Sequence, residues 1–514
     1  SEYIYFQINK NYDLLNENKK FIFLYILFIA ILTIEFHFAN HVKSVEFEVV
    51  SFILIAILSI FFIIYYSRNK DSLAKVGFMF ILVYGLIFIF ITPPFAIPDE
   101  AVHLYRVETI LQGHLVPLKT ELGYPFVTHI NPLLNYLLPT FKAANPGIGP
   151  LLTNNPQAFA PISSHPINYT LPKITTTPFY SYIFSAVGVY IAMLLDLGAI
   201  WVVWISRIVN LIIYSAAVYI AIKKAPVYKM PLLVVATTPL IFTVMPSSNY
   251  DSFIFAFFII AMAYFIYMIK NTVENKDLFI FLLCCLLIGL IKPQYSIICL
   301  LVFFIPKENF KFSKPRTKLL IAVIVLFIIG YFILKVMNMT TQARYGVSLS
   351  SNVSMEGQLQ YLLHHPFVIW AIIKRSIFFI YDYIIVNNFY FHDYWVREFS
   401  GIALYNELYF VFFMFMSIFY PIKIKFSKYK RLLLFLFMVV FYLGIFFSIY
   451  MAWNPVGYPG LYGVQARYFV PLFALVPLVI SYPVMKLKDM DSYIITGILI
   501  FMAGMLMLVI THFY

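Results

Sequence analysis

The chain has 514 residues, 62% of them hydrophobic and only 11% charged, where a soluble domain carries roughly a quarter. That balance excludes a soluble globular protein. The net charge of +13 would suggest nucleic acid in a soluble chain, but here it reads as basic residues flanking membrane helices, and no nucleic-acid partner is expected.

The apolar residues fall into runs of about 18 to 22, the length that crosses a bilayer as a helix. The first, Phe21 to Phe38, follows a polar stretch that includes Lys19 and Lys20. It is too long for a signal-peptide core and no small-residue cleavage site follows, so it reads as an uncleaved anchor. Further runs lie at 47–66, 74–92, 178–197, 199–222, 231–246, 251–270, 278–291, 294–306, 318–337, 366–385, 402–420, 432–451, 466–485 and 491–512.

If every run crossed, Lys223, Lys224 and Lys229 would face outward, against the cytoplasmic bias of basic residues. Two runs are poor spans. Almost nothing separates 178–197 from the run after it, and 366–385 carries Lys374, Arg375 and Asp382. Both read as helices lying at the outer interface. An all-α polytopic protein of about thirteen transmembrane helices remains. Its amino terminus is cytoplasmic, its carboxyl terminus is outside, and most of its lysines and arginines cluster inside.

Three extracytoplasmic segments follow, at 93–198, 338–401 and 452–465. The expected organisation is an amino-terminal segment with two helices (1–73), a membrane module (74–337), an outer loop (338–401) and four final helices (402–514). The cysteines Cys284, Cys285 and Cys299 sit in apolar runs and offer neither a disulfide framework nor metal spacing.

The outer segment opens with ITPPFAIPDEAVHLYRVETILQGHLVP. Pro98 is suited to open a helix. Asp99 and Glu100 would occupy its first turn, favoured by the helix dipole. Asp99, His103 and Arg106 recur at i, i+4 and i+7 and so share a face. A carboxylate that could act as general base thus accompanies a guanidinium that could hold phosphate. The plainer alternative is a capped interfacial helix with solvated charges.

Other polar residues belong at the same level. Lys292 lies in IKPQYSII, between two short spans, with Tyr295 beside it. It could meet a lipid phosphate or simply snorkel. Arg467 follows Gln465 in YGVQARYFVP, where it could bind phosphate or anchor the interface. Asn249 and Asp251 form a hairpin in MPSSNYDSF that an ordinary turn and helix cap would also explain. Arg207 lies inside apolar sequence, where an ionisable group suggests function. No phosphate loop, dinucleotide fingerprint, HExxH or nucleophile elbow is present.

These residues resemble a family. An acidic pair just past a transmembrane helix, opening a long outer loop, looks like the GT-C superfamily of membrane glycosyltransferases. PPFAIPDEAVHLYRV, with KPQY and VQARYFVPL, is similar to a bacterial branch of it, over about residues 75 to 485. The resemblance implies a seven-helix module with interfacial helices in the first outer loop. Here the two amino-terminal spans depart from the simplest layout.

It further implies a bacterial plasma-membrane enzyme. The donor would be a polyprenyl-phosphate (undecaprenyl) sugar. The acceptor would be a hydroxyl of an envelope glycan, glycolipid or teichoic-acid-like polymer. Asp99 would be the base and Glu100 would share or support that role. Arg106, Lys292, Arg467 and Arg207 would hold the phosphate, while His103, Tyr295, Gln465, Asn249 and Asp251 support the site. No obligatory cofactor or metal is expected, with a divalent cation left as an open alternative. The rival reading is a transporter or flippase of lipid-linked sugars.

Overall fold

The computed structural model describes residues 2–514 except 41, 43, 98, 117–125, 131–132, 134–157, 165–167, 171–176, 341–352, 387–400, 462 and 485–486. Pro98 and parts of the 93–198 and 338–401 segments therefore lie outside the described residues. In chain order the helices begin with α1 (Glu2–Ala39), α2 (Val45–Arg68), α3 (Leu73–Ile91) and α4 (Glu100–Leu111). Strands β1 (Phe126–Thr128) and β2 (Asn168–Thr170) come next. Then come α5 (Ile183–Leu194), α6 (Ala199–Lys224), α7 (Lys229–Ala236), α8 (Pro239–Val244), α9 (Asp251–Lys270), α10 (Asn275–Ile291) and a 3-10 helix, Pro293–Phe304. The last are α11 (Pro315–Thr340), α12 (Met355–His364), α13 (Phe367–Phe378), α14 (Ile402–Phe419), α15 (Lys428–Trp453), α16 (Val470–Ile480) and α17 (Met490–Phe513).

Among the described residues, 9 helices are long and apolar enough to cross a membrane: α1, α2, α3, α6, α9, α11, α14, α15 and α17. The protein is a multi-pass membrane protein. The other four runs expected to span are shorter or broken. Run 231–246 divides into α7 and α8 at Thr237 and Thr238, because Pro239 opens α8 and holds Thr238 in extended backbone. Run 278–291 is α10, of 17 residues. Run 294–306 is a 3-10 helix of 12 residues, about 24 Å long at the wider 3-10 rise. Run 466–485 is a 3-10 turn, Ala466–Phe469, followed by α16 with Pro477 inside it.

Of these nine helices the last is the most buried. The whole apolar window of α17 is enclosed, packed by α1, α2, α3 and α14. Two glycines seven residues apart allow this. Gly497 meets the ring of Phe412 and Gly504 meets Tyr405 and Leu32, so aromatic side chains lie directly on the helix backbone. Tyr405 donates to the carbonyl of Phe501 at 2.6 Å.

Beside the helices, β1 and β2 pair antiparallel, Val127 opposite Tyr169, and join two parts of the 93–198 segment. The run 178–197 forms a helix too short to count among those spans. After the 3-10 turn Phe179–Tyr182 it forms α5, which runs antiparallel along α6. Ser185 accepts from Asn210 at 2.9 Å, and a Cβ on Gly188 would stand 2.6 Å from the Cα of Ser206. The small residue lets the two backbones touch. The run 366–385 contains α13, 12 residues long. It leans on α15 through Ser376, whose carbonyl accepts from Tyr442 at 2.7 Å, while Lys374 and Arg375 are exposed.

Candidate functional site

At the end of α3 the chain turns through Phe95, whose φ is 63°, and enters α4 through Asp99, whose φ is 64°. Left-handed backbone is costly for most residues, but aspartate tolerates it. Asp99 is the N-cap of α4, yet its side chain makes no capping bond. This corrects the expectation that it sits in the first turn. The carboxylate stays 45% exposed, and Oδ2 lies 3.7 Å from Nη2 of Arg467.

Arg467 is buried, on the 3-10 turn before α16. Its Nε lies 3.0 Å from Oδ2 of buried Asp251. The other oxygen of Asp251 accepts from Nζ of Lys292 at 2.6 Å. That ammonium also lies 4.3 Å from the ring centre of Tyr468, 5.0 Å from Tyr250 and 5.7 Å from Tyr295. Rings hold a desolvated cation by their negative faces. Tyr295 is itself fixed, donating to the carbonyl of Tyr468 at 3.0 Å and stacking on Phe441. Two carboxylates and two cations thus form one chain, Asp99–Arg467–Asp251–Lys292, with Asp99 at its exposed end.

His103 stands one turn into α4. Its Nδ1 is 2.7 Å from the hydroxyl of Tyr182 and its ring packs edge-on against Tyr250. Burial pushes its pKa down to about 4, opposed in part by Asp99 and reinforced by Arg467. The imidazole is therefore neutral near pH 7. Asn249 lies beside Asp251, accepting its backbone N–H at 3.2 Å. Asn249 thus closes an ordinary turn, whereas the N-cap of α9 is Tyr250, without a side-chain capping bond, and Asp251, the first helical residue, is the partner of both cations. Gln465 is the N-cap of the turn that carries Arg467.

Three residues expected in the site are engaged elsewhere. Glu100 has a fully buried side chain. Its oxygens accept from Nε and Nη2 of Arg207 at 2.8 and 2.6 Å, and from the N–H of Phe95 at 2.9 Å. Arg207 spends its other donors on the carbonyls of Ile89, Thr92 and Pro93. With five N–H groups and five bonds, none remains for a phosphate. The pair ties the end of α3 to the start of α4 and to α6. Arg106 bonds the carbonyls of His114 and Leu115 at 2.9 and 2.6 Å, closing the turn after α4. A shared helix face does not bring it to Asp99.

Sequence reasoning missed Tyr182, Tyr250 and Tyr468. The last two adjoin Asp251 and Arg467 directly, and that adjacency was the available signal. It also missed buried Glu108, which accepts from Thr128 at 2.8 Å and from the backbone of His129 at 2.6 Å, anchoring β1 to α4. Among the described residues no group of three or more His, Cys, Asp or Glu is placed to hold a metal.

A family model described as "Predicted membrane protein (DUF2142)" matches residues 82–479, a stretch that includes every residue of this cluster. No curated protein and no solved structure matches the chain.

Proposed function

The chain belongs to the DUF2142 family of predicted membrane proteins, and we propose that it is a glycosyltransferase of the GT-C kind. It would move a sugar from a polyprenyl-phosphate carrier, such as undecaprenyl phosphate, to a hydroxyl of an envelope glycan, glycolipid or teichoic-acid-like acceptor. In this reading about thirteen helices cross a bacterial plasma membrane. The lysine-rich end is cytoplasmic, and the end carrying Asp99 is extracytoplasmic.

The observation that carries the proposal is the setting of Asp99. A half-exposed carboxylate is held by left-handed backbone at the mouth of a buried pair of cations. As general base, Asp99 removes the proton of the acceptor hydroxyl while that oxygen attacks the anomeric carbon. The new carbon–oxygen bond forms as the bond from that carbon to the phosphate oxygen breaks. The electron pair departs with the lipid phosphate, and the single displacement inverts the centre. Arg467 and Lys292 face the charge that develops on the phosphate. Asp251 keeps both cations ordered, and neutral His103 packs beneath Asp99 without adding charge. Glu100 and Arg207 set the position of Asp99 without touching the reactants.

The test is transfer by the full chain in liposomes supplied with undecaprenyl-phosphate hexoses and an envelope glycan acceptor. Asp99→Asn suits it because asparagine also accepts left-handed backbone, so only the charge changes. It should lose transfer by at least about 10²-fold while keeping the wild-type melting temperature. Undiminished transfer would overturn the assignment. Donor crossing the bilayer chemically unchanged, at equal rate in both proteins, would favour a transporter.

A further inference from the structure

Two buried polar atoms beside the ion-pair chain have no hydrogen-bond partner among the described residues: Nδ2 of Asn249 and Oε1 of Gln465. Asn249 is only 1% exposed. Its Oδ1 is occupied by the N–H of Asp251, and that bond decides which end of the amide is left as donor. Gln465 is held by its backbone, its carbonyl accepting from Tyr468 at 3.0 Å. Each residue lies two positions from a member of the cluster, Asn249 from Asp251 and Gln465 from Arg467. Arg467 touches both Asp251 and Asp99. Burying an unmet donor or an unmet acceptor is unfavourable, so each amide suits a ligand group that supplies its counterpart.

The chemistry of that ligand follows from what surrounds it. An anion alone would leave the Gln465 oxygen facing another acceptor, and a cation alone would leave the Asn249 N–H facing another donor. A neutral hydroxyl can accept from one amide and donate to the other. The geometry points to Asn249 and Gln465 as specificity-determining residues that read hydroxyl groups of the transferred sugar, Asn249 donating and Gln465 accepting. This rests on the glycosyl-transfer reading above. A site built to bond a hydroxyl rejects the analogue that lacks it, because its own polar groups are then left unpaired.

The experiment measures binding of bare undecaprenyl phosphate and of undecaprenyl phosphate carrying glucose, galactose, mannose or N-acetylglucosamine to the purified full chain. Transfer is followed in parallel. Asn249→Ser retains a short side-chain acceptor for the Asp251 N–H but loses the amide donor. Gln465→Met loses the acceptor, and Gln465→Glu keeps it. Wild type should prefer one hexosyl lipid over the bare phosphate. Asn249→Ser and Gln465→Met should each weaken that preference about tenfold, with bare undecaprenyl phosphate bound as before and Gln465→Glu close to wild type. Unchanged binding of bare lipid also certifies folding. If Asn249→Ser does not fold, the contrast of Met with Glu at position 465 decides the matter alone. Wild-type preference retained in the variants would overturn this inference and leave the transferase reading standing. A wild type that binds no hexosyl lipid better than bare lipid, and transfers none, would overturn both.

Discussion

Asp99 keeps nearly half of its side chain in the open, while the side chain of Glu100, its neighbour, is wholly buried against Arg207. Adjacent carboxylates therefore have different work, one chemical and one architectural. The same burial governs the stability of the cluster. Lys292 and Asp251 are a desolvated pair at 2.6 Å, and removing one partner strands a charge away from water. Lys292→Met alone or Asp251→Asn alone should cost about 3–5 kcal/mol, and the double variant less than their sum. Denaturation of the purified protein in micelles checks this, and simple additivity would contradict it. His103 supplies a pH dependence with a definite sign. Its folded pKa, about 4, lies below the ordinary value of 6.5, so between those limits the unfolded chain binds a proton that the folded chain does not. Stability should fall as pH drops from about 6.5 to 4. His103→Gln should show a shallower fall in melting temperature over that range, and parallel curves would refute the assignment.

At the scale of elements, the long helices were legible in hydropathy alone, because a span needs only length and an apolar surface. The divided and shortened elements were not. A run such as 231–246 looks continuous until Pro239 is seen to fix the backbone before it. The α5–α6 hairpin was half legible, since the closeness of the two runs was visible in the sequence, but their packing rests on Gly188, which no hydropathy window weighs. A methyl group there would meet backbone of α6, 2.6 Å from Ser206 Cα and 2.8 Å from Ile205 O. Gly188→Ala should therefore lower stability by about 1–3 kcal/mol. Faster hydrogen exchange across Ile183–Leu194 would report the separation, and unchanged protection would speak against close packing. The ion pairs were legible only as isolated suspects. Arg207 inside an apolar helix demanded a partner, but nothing local named Glu100, 107 positions away. Asp251, Lys292 and Arg467 come from three distant stretches, and folding alone brings them together.

For the whole molecule, the enclosed α17 joins α1 and α2 to α3 and to α14, so the two amino-terminal helices are packed into the body through the final one. Hydropathy gave no hint of this, because a central helix and a lipid-facing helix are equally apolar. Orientation is the other global question. Single cysteines at Ser164 and Ser313, with Cys284, Cys285 and Cys299 replaced, should be labelled by an impermeant reagent from opposite sides of intact cells, Ser164 from outside. Labelling of Ser313 from outside would invert the topology and remove the site from an extracytoplasmic acceptor. The most direct test of the central claim is mass spectrometry of envelope glycans from cells with the wild-type chain, with no chain, and with Asp99→Asn at equal abundance. The account predicts a sugar decoration present in the first and missing from the other two. The same glycans in the Asp99→Asn cells as in wild type would contradict it.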